Sequence, residues 1–331
     1  MQPIHTPGQP RELQPHEARR TGRGGFTLTE LLVVIAIIAV LASLTTVGVL
    51  RALDTAKQTR MKTELDSLDL AMKAYKEKYG SYPPCDLRST NATAIKAHVA
   101  RAFPRYANIS TVMTDLAAVA DANGSNFRPD QALVFWLGGF NPDITQPFLN
   151  LNTLTKAQRT PAFFDFDQSR LATVPSIPAP TVSGLSYFPA GMKADATGAP
   201  YIYWDPGSIT TTTTAPITTN STYGSIVVSS TTVTPNTFNS AGTLFTNAGT
   251  ATPYWSDTTN PGTTDATENW ANIDSFQLIA SGMDGKYGVA GTTTTTRLYP
   301  TGTGYDLSTA LADDDNVTNF CAKARLGDAK P

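Results

Sequence analysis

The sequence is poor in the side chains on which most enzymes rely. Only 3 of its 331 residues are histidine. His5 and His16 lie near the N-terminus, so His98 is the one imidazole in the body of the chain. That scarcity argues against a multi-histidine zinc centre and leaves a Ser-His-Asp triad a single base. His98 itself, in Ala97-His98-Val99, reads as a surface or structurally satisfied histidine. No Gly-x-Ser-x-Gly, His-Glu-x-x-His or phosphate-cradling glycine loop occurs. Asp165 and Asp167, in Phe163-Phe-Asp-Phe-Asp167, have the residue types of a glycosidase pair. Alternating aromatic and acid is more simply a strand with one buried face. The chain is therefore expected not to be an enzyme. Charge is sparse too: charged residues make up 16% and the net charge is −2. Nothing marks a nucleic-acid or anionic-lipid surface.

Cysteine is nearly absent. Cys85 and Cys321 are the only two. Outside the cytoplasm they have one intramolecular disulfide available to them, which would clamp the ends of the globular region. Two buried thiols are the alternative. Lysine and glutamate thin out in the C-terminal half, where Thr, Ser, Asn, Gly and Pro take over. Thr210–Thr214 and Thr292–Thr296 are unbroken threonine runs. β-Branched threonine suits short exposed strands broken by Gly and Pro, and the same composition suits a flexible or O-glycosylated surface.

What the chain does have is one long apolar run, beginning at Phe26-Thr-Leu-Thr-Glu30. From Leu31 to Leu50 it holds no charge and no proline. At ~1.5 Å per residue this stretch spans ~30 Å, one bilayer core. A lone carboxylate, Glu30, stands at its head, and an unpaired charge in lipid predicts a partner. A cleaved secretory signal would place its small residues after the apolar run. Here Gly24-Gly25 precede it, although Ala42-Ser43 lies late within it. Basic residues flank both sides, Arg11, Arg19, Arg20 and Arg23 against Arg51, Lys57, Arg60 and Lys62, so charge alone does not set orientation. Beyond the run, Met61, Leu65, Leu68, Met72, Tyr75 and Tyr79 step by alternating fours and threes, an apolar stripe along one helix face. Arg60 with Glu64 and Asp69 with Lys73 are i,i+4 pairs on the polar side. Gly80 and Pro83-Pro84 stop the helix.

Gly25 followed by Phe26-Thr-Leu-Thr-Glu30 and an apolar run resembles the cleavage junction of type IV prepilins and type II secretion pseudopilins. The resemblance implies a leader, residues 1–25, removed after Gly25 by a prepilin peptidase that also methylates Phe26. It implies that Glu30 pairs with the N-terminal amine of a neighbouring subunit during assembly. It implies an inner-membrane, single-pass protein whose globular part is periplasmic or carried in an envelope or surface filament. Its partners would be the peptidase, other pilin or pseudopilin subunits and an inner-membrane assembly platform, with no nucleic acid. Many pilins place a proline at the position that is Val47 here.

The fold implied is α+β: a transmembrane and stalk helix over residues 26–80, packed on an antiparallel β-sheet globular domain over 81–331. Three later segments resemble the same family. Asp195-Ala-Thr-Gly-Ala-Pro200-Tyr201-Ile-Tyr203 reads as a Gly/Pro turn feeding a strand. Phe276-Gln-Leu-Ile-Ala-Ser281-Gly-Met-Asp284-Gly285 reads as a strand ending in an acidic turn, and Asp313-Asp-Asp-Asn316-Val-Thr-Asn-Phe320 as a terminal acidic segment. In major pseudopilins the last two build a calcium site, which points to Asp284, Asp313, Asp314, Asp315 and Asn316. Carboxylate and carbonyl oxygens suit calcium, which takes six to eight oxygens. A triple aspartate is also an ordinary solvated turn.

Insertions are expected at about 85–189 and 205–269. The first contains helix-like runs at 92–103 and 110–122 and an apolar patch, Ala132–Phe140, expected in the core around Trp136. The leading expectation is a structural filament subunit of a type II secretion-type system. The alternatives are a surface type IV pilus subunit for adhesion, motility or DNA uptake, and a membrane-anchored ligand-binding module.

Overall fold

The computed structural model describes residues 25–85, 92–119, 129–151, 153–173, 185–190, 199–205, 222–223, 226–227, 253–256, 269–287, 297–302, 305 and 313–331. The leader up to Gly24, both threonine runs, Asp195–Gly198 and most of the 205–269 insertion lie outside them. By compactness the chain divides into residues 1–51 and 52–331.

One helix, α1 (Leu28–Tyr79), carries the whole apolar run and the stalk stripe. Its most apolar 18-residue window has mean hydropathy 2.7 and no buried residue. In the first unit Leu31, Val34, Ile35, Ile38 and Leu41 are all exposed. Apolar all round and uncovered, this segment is built for a lipid or helix-bundle environment. In the second unit the stripe behaves as its spacing requires: Met61, Leu65, Leu68, Met72 and Tyr75 are buried, and Tyr79 is half-buried. The helix ends where Gly80 takes a left-handed φ of 84° and its N–H reaches Lys76 O at 2.7 Å.

Three more helices follow: α2 (Ala92–Ala102), α3 (Val112–Val119) and α4 (Pro129–Leu137). The first two fall on the helix-like runs read from sequence. The third forms from the apolar patch, with Pro129 at its first position, where a missing N–H costs nothing. Residues 130–137 of α4 are all buried, and the helix packs on strands β2 (Leu185–Tyr187) and β3 (Ile202–Trp204). Trp136 is completely buried and donates its indole N–H to Pro84 O at 3.0 Å. His98 is also buried, between Tyr75 Oη and Ser81 Oγ, each 3.0 Å away. Burial pushes its pKa down to about 4, so the ring is neutral and structural.

The strands are short. β1 (Leu171–Thr173) and β2 form an antiparallel hairpin. Antiparallel β4 (Thr222–Tyr223) and β5 (Ile226–Val227) pair alone. β6 (Trp255–Ser256) pairs antiparallel with β7 (Asn269–Trp270) and parallel with β9 (Leu298–Tyr299). The central sheet has β8 (Gln277–Ala280) between β3 and β10 (Val317–Thr318), all antiparallel, with Ile279 opposite both Ile202 and Thr318. β8 at the centre and β3 at the edge are both buried along their whole length rather than on alternate residues, so both faces of the sheet are covered there. A long apolar helix followed by small, mainly antiparallel sheets is an α+β, pilin-like fold.

Two local expectations fail. Phe163–Asp167 is not a strand. Asp165 pairs with Lys156, and Asp167 caps a short 3-10 turn by accepting Ser169 N–H at 3.0 Å. The segment satisfies its polar groups locally instead of in a ladder. Glu64 does not pair with Arg60. It turns inward and accepts from Arg170, Tyr187 Oη and Tyr201 Oη, the last two at 2.8 Å each.

Candidate functional site

Two groups of residues carry the functional argument. The first is the head of α1. Thr27 stands just before the helix and Glu30 three residues on. Glu30 N–H donates to Thr27 Oγ1 at 3.2 Å, while Glu30 Oε2 accepts Thr27 N–H at 2.9 Å and its hydroxyl at 2.8 Å. This reciprocal arrangement is a capping box, and it satisfies two of the donors that a helix N-terminus leaves open. The carboxylate also lies at the positive end of the helix dipole. Glu30 thus has a local partner before any neighbour arrives. The Thr-x-x-Glu spacing before an apolar run was the sequence signal for this box. Gly25 and Phe26 lie immediately upstream, with Phe26 82% exposed.

The junction is the part of the chain with recognisable kin. Residues 20–46 match the family model of the prokaryotic N-terminal methylation motif. This motif supports a type IV pilin-like prepilin. It spans Gly25, Phe26 and Glu30, and it implies processing by a prepilin peptidase and assembly with other pilin subunits. The apolar helix and the prepilin motif together are consistent with a membrane-anchored, single-pass protein. No curated protein and no solved structure matches the chain.

The second group of residues is the acidic one. The antiparallel pairing of β8 and β10 sets the loop Ser281–Gly285 beside Asp313–Asn316. Gly282 has φ 65°, and an added Cβ there would collide with the Asp315 carboxyl group, so the loop closes tightly over that side chain. Asp315 Oδ2 accepts Met283 N–H at 2.6 Å and Asp284 N–H at 3.0 Å. Its Oδ1 is buried without a hydrogen-bond partner, as is Asn316 Oδ1. Burial pushes the Asp315 pKa up to about 7, reinforced by the Asp284 charge, and burial pushes Asp284 up to about 6. The Asp284 and Asp315 carboxylates are therefore close enough for their charges to interact, while the Asn316 amide donates to Tyr254 Oη at 2.9 Å and to Asp313 Oδ1 at 3.3 Å.

The other two aspartates have basic partners. Asp313 accepts from Arg297 Nε at 3.0 Å and from Tyr254 Oη at 3.1 Å, and Asp314 pairs with Lys330. Of the five residues read from sequence, Asp284 and Asp315 interact with each other, and Asp313 is bonded by Asn316 and adds its charge to Asp284. Among the described residues no group of three or more His, Cys, Asp or Glu side chains is placed to hold a metal. Any ion here would rely on amide and backbone oxygens to complete its shell. Cys85 and Cys321 are both buried and are not bridged to each other. The Cys321 thiol instead donates to Arg325 O at 3.5 Å.

A groove of 830 Å³ runs along the second unit's part of α1, lined by Ala52, Ala56, Thr59, Thr63, Ser67 and Phe164 among others. The hydroxyls of Thr59, Thr63 and Ser67 each donate 2.9 Å to the carbonyl four residues back. The hydroxyls of this face are therefore already satisfied, and Arg60 and Glu64 also line it.

Proposed function

We propose that this chain is a subunit of a pilus-like filament of the type II secretion type. It is inserted in the inner membrane as a prepilin with its globular part in the periplasm, cleaved after Gly25 and N-methylated on Phe26. It is assembled through an inner-membrane platform by packing of α1 against neighbouring subunits. The observation that carries this reading is the methylation motif over residues 20–46, whose apolar part, from Leu28 on, is a helix with a single carboxylate at its head. After cleavage the α-amine of Phe26, with a reference pKa of ~7.7–8.0, is mostly charged at neutral pH. Glu30 of a neighbour supplies the counter-charge, exchanging its local bond to Thr27 for an ion pair in a low-dielectric bundle. The row of small residues Ala52, Ala56, Thr59, Thr63 and Ser67 along this face suits close approach by another helix.

The acidic group supports the secretion-type reading over a surface pilus. Asp284 and Asp315, with Asp313, Asp314 and Asn316 beside them, would hold a calcium ion with backbone carbonyls of their loops. Calcium would neutralise the buried Asp315 and half-buried Asp284 carboxylates, which otherwise repel each other.

The test is Glu30→Ala in the native host. Cleavage of the leader should persist, while incorporation into filaments should fall at least tenfold. Normal incorporation of the variant would refute the pairing.

A further inference from the structure

A separate cleft, of about 410 Å³, lies where the end of the stalk helix meets α2 and the turn before β8. Its volume falls in the roughly 300–1,000 Å³ range of small-molecule sites. The last turn of α1 brings Lys76 to it, and the last turn of α2 brings Arg101. Asp205 follows β3 directly, and Asp274 sits in the turn that Ser275 N–H closes on Asn272 O at 3.0 Å. Both segments expected as insertions border the cleft: α2 lies in the first, and Asp205 opens the second. Part of the lining is fixed. Ser81 Oγ is 3.0 Å from Nδ1 of the buried His98, whose Nε2 is 3.0 Å from Tyr75 Oη. Tyr82 packs on Phe276 with ring centroids 4.8 Å apart, and Lys76 Nζ sits 4.3 Å over its ring. The Arg101 stem lies over Gly80, where an added Cβ would meet its Cδ at 3.4 Å. The charged heads are open. Lys76, Arg101 and Asp274 are exposed, and among the described residues none of them is in an ion pair. Charges of both signs thus line one small space without pairing across it.

We propose that this cleft binds a small zwitterionic ligand of the short-peptide class. The ligand's carboxylate pairs with Arg101, beside Lys76, and its ammonium group pairs with Asp274, beside Asp205. Arginine suits the first role because its planar fork donates two parallel hydrogen bonds to a carboxylate. A neutral sugar would stack on an open aromatic ring, and Tyr82 is already engaged by Lys76 and Phe276. Exposed charges pair partly in water, so the affinity is millimolar and falls as salt is added. The site adds recognition to a subunit whose proposed role is assembly, and it does not depend on that role.

The test is saturation-transfer NMR on the full chain in detergent micelles, with dialanine as the probe. N-acetyl-dialanine, which keeps only the carboxylate, and dialanine amide, which keeps only the ammonium group, are the controls. The variants are Arg101→Gln, Asp274→Asn and the exposed, distant Lys323→Gln, each checked by circular dichroism for an unchanged fold. The wild type should bind dialanine with a millimolar dissociation constant and each blocked form about fivefold more weakly. Arg101→Gln and Asp274→Asn should each weaken dialanine binding by about fivefold, and Lys323→Gln should leave it unchanged. Equal binding of the blocked forms overturns recognition by charge. Binding that survives either cleft substitution undiminished places the dipeptide elsewhere and overturns the assignment to this cleft. Absence of dialanine binding by the wild type overturns the proposal outright.

Discussion

Arg170 Nη1 lies 2.7 Å from Glu64 Oε2, joining the hairpin of the globular region to the stalk helix. Both side chains are about 85% buried, and Tyr187, Tyr201 and the Ala190 N–H complete the shell around the carboxylate. A buried pair broken from one side leaves a charge without compensation, at a cost of ~3–5 kcal/mol. Arg170→Ala and Glu64→Ala should each destabilise the globular unit by about that amount in urea unfolding. Because the two share one shell, the double variant should lose far less than the sum. Additive losses would mean that the pair is not coupled.

Trp136 fills the space between α1, α2 and α4 with its indole N–H satisfied by Pro84. Trp136→Ala should cost ~3–5 kcal/mol by cavity formation and lost packing. A loss below about 1 kcal/mol in the same unfolding assay would contradict its placement at the centre of the core.

How much of this was legible in the sequence depends on whether a signal is local. The end of α1 at Tyr79 was written in the apolar stripe and in Gly80, and β3 and β8 were announced by their aromatic and apolar runs beside glycine turns. α4 was not legible as a helix. A segment buried on every side has no periodicity to read, and Ala132–Phe140 indicated burial only. The candidate site divides in the same way. Gly25, Phe26 and Glu30 form a contiguous motif. By contrast, the pairing of Asp313 with Arg297 and of Asp314 with Lys330 depends on how distant segments meet, which a run of three aspartates does not show. Glu64 was misjudged for the same reason: helix spacing pointed to Arg60, and its true partners lie more than a hundred residues away.

Asp315 and Asp284 set a pH dependence. Their folded pKa values, about 7 and about 6, lie above the ordinary value of 3.8, so the folded state holds protons that the unfolded chain releases. In chelator, their contribution to stability is complete below about pH 4 and is lost as pH rises through 6 to 7. Melting temperature followed by circular dichroism from pH 4.5 to 8 should show that fall, and 1 mM calcium should reverse it at pH 8. In Asp315→Asn the melting temperature in chelator at pH 8 should be at least that of the wild type, with no rise on adding calcium. A calcium response that survives in Asp315→Asn would exclude this aspartate from the site.

The cysteines give a chemical check on the C-terminal packing. Protein purified without reductant should show two reactive thiols per chain after denaturation, and almost none in the native state because both are buried. No thiol after denaturation would show a bridge that this structure does not contain.

Mass spectrometry of the N-terminal peptide from host membranes tests the central claim most directly. A chain beginning at Phe26 and bearing one extra methyl group on its α-amine is the predicted result. A chain that keeps its leader, one cut after Ala42-Ser43, or an unmodified Phe26 would contradict the account.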